Sequence, residues 1–299
     1  MRNRPARFNL GDFLCTPLHF FDFGVKEQQI RIPFGAKIDG TVLGGGAYND
    51  LGLSQNVDFR STVLWGVGSS LHGKDAHPTK ATNLPYLLYG VRDIDAVEDD
   101  KHFLPCVTCM HPNASIKPGE ETSVFLNFDK GITDYRHFKN LPLFREGGVS
   151  LLSNNLSEAE FLKEFSKTKR VITNSFHVAY WSLLSGRAVS IIGYSTKFRS
   201  LLRMAAVDEG ALHHYDVSDQ ASLENLISDI LRKDLFINVN NSSSLRNDCI
   251  ERNLSFATEC VKIGFVPQFK IKEHTPSIMK ARHIRYLPVQ AFEYIRKSR

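Results

Sequence analysis

The second half of the chain alternates β-branched runs with helical stretches, and this alternation constrains the fold more than any other feature. Strand-like runs lie at 123–128 and 148–153 and in the sequences RVIT and AVSIIG. Between them stand SEAEFLKEFSKT, opened by the capping-box pair Ser157 and Glu160, and SFHVAYWSLLS, closed by Gly186. Strands joined by helices of this length predict βαβ units on a parallel sheet.

The first half contains three further strand-like runs, at 40–46, 61–70 and 84–93, each ending in glycine or polar residues. The following segment, PNASIKPGEE at 112–121, has little apolar content and indicates a linker. Because 299 residues exceed what one hydrophobic core usually fills, we predict two α/β domains with a cleft between them.

The boundaries follow from that linker. The first domain covers 1–116 and the second covers 117–279. The remaining stretch, 280–299, is basic and roughly amphipathic, and it predicts a helix that packs back on the N-terminal domain. A membrane-surface anchor is the alternative for this stretch.

Composition narrows the functional classes. The net charge of +5 suits anionic substrates, nucleic acid or an anionic membrane surface, but no nucleic-acid-binding signature accompanies it. Apolar runs are too short for a transmembrane helix, and the start lacks the apolar region of a secretory signal. Five cysteines, an odd number, fit a reducing compartment. We therefore expect a cytoplasmic protein that does not bind nucleic acid.

His177 is the most informative titratable residue. It follows the strand RVIT, where Asn174 suits a helix N-cap and Ser175 comes next. Ligands of parallel sheets bind beyond the carboxyl ends of the strands, and Lys197 follows the next strand at the same end. A phosphate or carboxylate between these groups is physically sensible. The alternative is a core histidine bonded to a backbone carbonyl.

Familiar cofactor motifs are missing from the sequence. The loop LGGGAYND lacks the G-x-G-x-x-G pattern of a dinucleotide site, so we do not predict NAD. The sequence has no G-x-x-x-x-G-K-[ST] loop, which argues against a P-loop ATPase. We therefore predict no cofactor. Four potential zinc ligands crowd into ten positions: His102, Cys106, Cys109 and His111. Their spacing is cramped for a tetrahedral site, so we expect a buried turn and no metal. His213 and His214 are expected at the surface.

Several motifs together carry a resemblance. NLGD, LGGG, WGVGSS, GVRD, VITNSFHVAYWSLLSGRAV and STKF, in this order, resemble the polysaccharide pyruvyl transferase family over about residues 9–200. The ITNSFH block and the KF pair after it are the most specific part. The resemblance implies two Rossmann-like domains in a GT-B-like arrangement. It also implies phosphoenolpyruvate as donor and a sugar hydroxyl pair as acceptor, joined as a pyruvate ketal with release of phosphate.

The resemblance also assigns residues. Arg92, His177 and Lys197 fall where the family binds the donor, and we place Asn174 and Ser175 beside them. We assign acceptor binding to Asn9, Gly45, Gly46 and Ser69. We expect His177 to be catalytic, either as proton donor or by stabilising the leaving phosphate. Asp12 accepts a proton from a sugar hydroxyl or simply holds that hydroxyl, or it is a helix N-cap.

One feature departs from the family's pattern. The family usually has a full first strand before NLGD, whereas about eight residues precede it here, so we expect a shortened first strand. Alternative functions are a GT-B glycosyltransferase that uses a sugar nucleotide and a non-catalytic scaffold of polysaccharide assembly.

Overall fold

The computed structural model describes residues 9–25, 40–55, 57–73, 75–145 and 148–273. It is an α/β structure with parallel sheets flanked by helices, as the sequence predicts. Its strands are β1 (Phe21–Asp22), β2 (Thr41–Gly44), β3 (Thr62–Val67), β4 (Leu88–Val91), β5 (Glu121–Leu126), β6 (Ser150–Ser153), β7 (Thr168–Thr173), β8 (Ala188–Gly193), β9 (His213–His214) and β10 (Lys270–Ile271). Its helices are α1 (Leu10–Leu14), α2 (Tyr135–Lys139), α3 (Pro142–Arg145), α4 (Glu158–Lys167), α5 (Phe176–Leu184), α6 (Thr196–Met204), α7 (Gln220–Lys233) and α8 (Ser242–Lys262).

Two sequence predictions fall outside this part of the chain. The basic helix expected at 280–299 lies outside the described residues, and so do residues 1–8, where a shortened first strand was expected.

A three-stranded parallel sheet of order β2-β3-β4 forms the first half. Every residue of the central strand β3 is buried, as expected for a parallel strand covered on both faces. The strand predictions at 40–46, 61–70 and 84–93 are confirmed, but each observed strand ends before the last glycine or polar residues of its run. Those residues therefore lie in loops at the carboxyl edge of the sheet.

A five-stranded parallel sheet of order β6-β5-β7-β8-β9 forms the second half. The predicted capping box opens α4, with Ser157 and Glu160 each accepting from the other's backbone N–H. The strand order reverses at β5, since β6 lies on one side of it and β7 on the other. Loops leaving such a reversal diverge and open a crevice, which is where open α/β sheets bind ligands.

Helix α5 lies at the centre of the molecule. All nine of its residues are buried, which accounts for its apolar sequence on every face. Gly186 follows its end in the left-handed conformation, at φ 73°, confirming the predicted helix stop. Hydrogen bonds tie the helix to the 3-10 helix Val107–Met110 and the residue before it: the Tyr180 hydroxyl donates to the Cys106 carbonyl (2.9 Å), and the Trp181 indole donates to the Thr108 carbonyl (3.2 Å).

The chain returns to the first sheet through α8. The Asn253 side chain accepts from the Trp65 indole of β3 at 2.8 Å, and Phe256 packs edge-on against the same ring, with centroids 4.8 Å apart. Strand β10 then pairs with β1. The segment expected as a linker begins as a 3-10 helix, Pro112–Ala114, that is partly buried, and mostly exposed residues follow it at 115–120.

Candidate active site

Loops from both sheets enclose a cavity of about 220 Å³ at the carboxyl ends of their strands. The loops after β2, β3 and β4 supply one wall. The loops after β5, β7 and β8 supply the other, at the strand-order reversal. The lining residues are Asn9, Asp12, Ala47, Ser70, His72, Arg92, Asn127, Asp129, Ile132, Phe176, His177, Tyr194 and Lys197. The cavity thus gathers Asn9, Asp12, Arg92, His177 and Lys197, five residues that the sequence placed in a site.

His177 is the second residue of α5, and its ring is only 3% exposed. Its Nδ1 lies 3.7 Å from Asp12 Oδ1, and its Nε2 lies 3.6 Å from Cys106 Sγ. Burial lowers its pKa well below the ordinary value, and the positive charges of Arg92 and Lys197 lower the pKa further. The free imidazole is therefore neutral at neutral pH.

Gly11 is what allows the ring of His177 to lie against α1. A Cβ at this position would lie 2.1 Å from His177 Cγ, 2.2 Å from Nδ1 and 2.4 Å from Cβ. Carbon atoms in contact keep about 3.5 to 4.0 Å apart, so no larger residue fits without moving the ring. The glycine of NLGD therefore brings the ring within reach of Asp12.

Asp12 is the third residue of α1, and the N-cap is Asn9, whose side chain accepts from Gly11 N–H at 3.1 Å. The alternative of Asp12 as the helix N-cap is therefore wrong. The Asp12 side chain is 20% exposed. Burial raises its pKa above the ordinary value, and the charges of Lys197 and Arg92 act in the opposite direction.

Arg92 follows β4 and is buried, yet its guanidinium is only partly paired. Its Nε donates to Asp93 Oδ1 at 3.3 Å and its guanidinium carbon lies 4.1 Å from the centre of the Phe176 ring. Nη2 is buried and has no hydrogen-bond partner among the described residues. A Cβ on Gly68 would lie 2.6 Å from this nitrogen, so the glycine of WGVGSS makes room for the guanidinium.

A second buried arginine provides the contrast. All three nitrogens of the Arg187 guanidinium donate hydrogen bonds, four to backbone carbonyls and one to a serine hydroxyl. That arginine joins α4 and the segment before β5, and it is structurally satisfied. Arg92 by comparison lines the cavity and keeps a donor that has no partner among the described residues, and an anion-binding arginine needs such a donor.

Lys197 is the second residue of α6, and its ammonium donates to the Tyr194 hydroxyl at 3.0 Å. Burial lowers its pKa to about 8, with the Asp12 charge opposing this shift and the Arg92 charge adding to it. His72 stands nearby, with its ring edge-on to Tyr194 at 5.4 Å between centroids. Burial and the Lys197 charge lower the pKa of His72 as well.

Five predicted site residues do not line the cavity, namely Asn174, Ser175, Gly45, Gly46 and Ser69. Asn174 Oδ1 accepts from Asn127 N–H at 2.7 Å, and its Nδ2 donates to Thr133 and Tyr215. It therefore holds the loop after β5 in place. The N-cap of α5 is Ser175, not Asn174, and the Ser175 side chain makes no capping bond.

The remaining three residues shape the first wall. Gly45 has φ 54°, and a Cβ there would lie 2.1 Å from the Cys15 carbonyl oxygen. Gly46, at φ 77°, accepts from Gly68 N–H at 3.1 Å. Ser69 donates its N–H and hydroxyl to Asp93 Oδ2, which fixes the carboxylate that holds Arg92.

Sequence reasoning missed other lining residues: Ser70, His72, Asn127, Asp129 and Tyr194. All lie within five residues after the end of a strand. Lys197 was identified by the same position after a strand, so this position could have identified them as well. The Ser70 and Ser195 hydroxyls bond at 2.9 Å, and the Leu71 carbonyl accepts from Thr196 N–H. These contacts join the loop after β3 to the start of α6.

The crowded histidine and cysteine segment does not assemble as one ligand set. His102 stacks on Tyr89, Cys106 contacts His177, and His111 Nε2 lies 3.0 Å from Glu158 Oε1. Cys109 is buried beside Asn253. His213 and His214 form β9; His213 is partly exposed and His214 is exposed.

One other group of ligand atoms does converge within the described ranges. Asp12, Cys15 and His177 each present an atom, and these atoms lie within 4.8 Å of one another. Distance alone would allow these atoms to contact one ion. The Cys15 thiol donates to the Asp12 carbonyl oxygen at 3.1 Å, however, and the charges of Arg92 and Lys197 would oppose a cation.

Comparisons with known proteins identify no relative of this chain. Family models, curated proteins and solved structures were each compared with the chain, and nothing matches. The described helices include none that is long and apolar enough to cross a membrane. Functional inference therefore depends on the cavity and on the sequence resemblance.

Proposed function

We propose that the protein is a pyruvyl transferase that uses phosphoenolpyruvate to form a pyruvate ketal on a sugar of a polysaccharide or its precursor. One observation carries the proposal. The buried Arg92 guanidinium keeps an unpartnered Nη2, within the described residues, at a cavity that also holds Lys197 and the Asp12–His177 pair.

The cavity is suited to a small anion. Its volume of about 220 Å³ lies below the range of about 300 to 1,000 Å³ typical of drug-sized ligands. Phosphoenolpyruvate carries a carboxylate and a phosphate, and Arg92 and Lys197 provide two cationic groups for them. An unpaired buried guanidinium N–H is costly in an empty site, and a bound anion removes that cost.

Two helix starts reinforce this preference. Helices α5 and α6, each of nine residues, begin at the cavity, and neither N-cap serine makes a side-chain capping bond. The dipoles of both helices therefore favour negative charge at the cavity, although the first amide of α6, Thr196 N–H, is already bonded to the Leu71 carbonyl.

The Asp12–His177 pair supports proton transfer. Bound phosphoenolpyruvate brings negative charge beside His177, which favours the imidazolium form. The imidazolium protonates the methylene carbon, and a sugar hydroxyl attacks the resulting cationic carbon as Asp12 accepts the hydroxyl proton. The C–O bond to phosphate then breaks, a neighbouring hydroxyl attacks the same carbon, and its proton leaves with phosphate. Asp12 returns its proton to His177, so that the methyl group, the two ketal C–O bonds and the released phosphate account for all atoms.

The proposal includes a GT-B-like arrangement in which two Rossmann-like domains face the cleft, the first on the acceptor side and the second on the donor side. It is supported by the position of the cavity, which both sheets line from their carboxyl edges. We further propose a cytoplasmic location, with peripheral association at the inner face of the membrane when the acceptor is lipid-linked.

Two alternatives have distinct predictions. A glycosyltransferase would bind a sugar nucleotide, which has to extend well outside a cavity of this size. A non-catalytic scaffold would bind neither donor.

The decisive experiment measures phosphate release from phosphoenolpyruvate in the presence of sugars with neighbouring hydroxyls, next to titration calorimetry with phosphoenolpyruvate alone. We expect saturable binding that Arg92→Gln and Lys197→Met weaken and that Lys101→Met, at a side chain 68% exposed, leaves unchanged. Release of a nucleoside diphosphate from sugar nucleotides alone would establish the glycosyltransferase. Absence of binding at millimolar phosphoenolpyruvate would refute the proposal in favour of the scaffold.

A further inference from the structure

A buried thiol occupies the side of His177 that faces away from the cavity. Cys106 is 1% exposed, and its Sγ lies 3.6 Å from Nε2 of the ring and 3.3 Å from the Thr108 hydroxyl. The Cys106 carbonyl accepts from Tyr180, and the Thr108 carbonyl accepts from Trp181, so two hydrogen bonds to α5 fix the thiol relative to the ring.

The direction of these hydrogen bonds follows from the groups on the other side. Nδ1 faces the Asp12 carboxylate, where an N–H is attracted and a bare nitrogen is repelled. With the proton on Nδ1, Nε2 is an acceptor and takes the Cys106 S–H, while Sγ accepts from the Thr108 hydroxyl. The S–H and the Thr108 hydroxyl then each meet an acceptor, and Nδ1–H points to the carboxylate at 3.7 Å. In the reverse direction a nitrogen lone pair would face the carboxylate.

A thiol is an unusual partner for a histidine because sulfur both donates and accepts weakly. A backbone carbonyl at Nε2 would accept only and would hold one tautomer permanently. Cys106 can donate to Nε2 in the neutral ring and accept from Nε2–H in the imidazolium, with its own S–H turning to Thr108. The ring therefore remains bonded in both protonation states.

We propose that Cys106 is a positioning residue that keeps Nε2 of His177 hydrogen-bonded in either protonation state, and that Nδ1 is the nitrogen that exchanges a proton with the substrate. The inference deepens the proposed function and its catalytic part rests on it. As the Nδ1–H bond breaks and a C–H bond forms at the methylene carbon, the ring keeps its Nε2–H and donates it to Sγ.

The test compares Cys106→Ala, which removes the donor, with Cys106→Ser, which keeps a hydroxyl that donates and accepts. Cys109→Ala is the matched control, because Cys109 is an equally buried thiol that bonds the Val107 carbonyl and Asn253. The readout is ¹⁵N NMR of histidine-labelled protein without ligand, with the His177 signals assigned by their loss in His177→Gln.

We expect the neutral His177 ring to carry its proton on Nδ1 in the wild type, in Cys106→Ser and in Cys109→Ala. Cys106→Ala should keep this tautomer, because Asp12 still faces Nδ1, but its Nε2 signal should move to the position of a ring nitrogen without a hydrogen bond. Turnover should fall by about 10- to 100-fold, the range known for partners that orient metal-bound histidines. Cys106→Ser should restore turnover.

An Nε2–H ring in the wild type, or an Nε2 signal that does not change in Cys106→Ala, would overturn the inference. The spectrum needs no substrate, so it remains decisive if phosphoenolpyruvate proves not to bind. Spectra as expected without phosphate release would refute the proposed reaction while keeping the positioning role of Cys106.

Discussion

Replacing Gly11 with alanine tests the link between sequence, packing and chemistry most directly. The substitution adds one methyl group to α1, at a helical position where alanine is favoured over glycine by about 0.8 to 1.0 kcal/mol. Local helix stability should therefore improve. Any loss must come from what the methyl group meets.

The methyl carbon meets His177 at 2.1 Å from Cγ and 2.4 Å from Cβ. Relief to an ordinary contact of about 3.5 Å requires a movement of more than about 1 Å. The ring cannot retreat freely because Cys106 lies behind it at 3.6 Å. Overpacking of this kind costs about 1 to 3 kcal/mol, so after the helix gain we expect a net destabilisation of about 0 to 2 kcal/mol.

Catalysis should suffer more than stability. A displacement of about 1 Å in a catalytic group costs about 100-fold in rate, so we expect the turnover of Gly11→Ala to fall by about that factor. Binding of phosphoenolpyruvate, which depends on Arg92 and Lys197, should change by less than about threefold. The assays are urea unfolding, steady-state phosphate release and titration calorimetry.

The matched control is Gly131→Ala, in the loop after β5. A Cβ there would lie 3.5 Å from Asp129 Oδ1, an ordinary contact, so turnover should be unchanged. Turnover of Gly11→Ala within twofold of the wild type, in a protein that unfolds normally, would refute the idea that the position of His177 is critical.

Three further predictions concern the charged groups of the cavity. His177→Ala should lower turnover, measured by phosphate release, by about 10² to 10⁴-fold, and circular dichroism should show an intact fold. An unfolded variant or an unchanged turnover would show that His177 is a core histidine. Arg92→Ala and Lys197→Ala should each weaken phosphoenolpyruvate binding by about 1.5 to 3 kcal/mol in calorimetry, and a smaller effect than 0.5 kcal/mol would contradict a direct contact. Because the pKa of Lys197 is lowered to about 8, its ammonium loses its proton above that pH, so the affinity for phosphoenolpyruvate should fall as pH rises. The affinity of Lys197→Arg should not change over the same pH range. Parallel pH profiles of the two proteins would show that Lys197 does not bind the donor.

The order of elements was predictable because local patterns specify it. The capping box of α4, the glycine after α5 and the β-branched runs were recognised from neighbouring residues, and all three are confirmed. Arg92 was assigned to the site by the family resemblance. His177 and Lys197 were placed together because each follows a strand, and parallel strands end at one edge. Such inferences require only periodicity and connectivity.

Contacts between distant parts of the chain were not predictable in this way. The role of Gly11 depends on a ring 166 positions later, and nothing local distinguishes it from a glycine in a turn. Asn174 looked like a cap but binds the loop after β5, because Ser175 already precedes the first helical residue. Cys106 was expected in a buried turn, and no neighbouring residue indicated that α5 would place His177 beside it.

The sequence by itself determined the α/β class, the parallel strands and which side chains reach the carboxyl edge of the sheets. Tertiary structure alone decided which of those side chains share the cavity and which are bonded within a wall. The physical reason is that propensity and hydrophobic period act over a few residues. The Nη2 of Arg92 that has no partner among the described residues, and the lowered pKa values of His177 and Lys197, arise only when separate loops close around the same space.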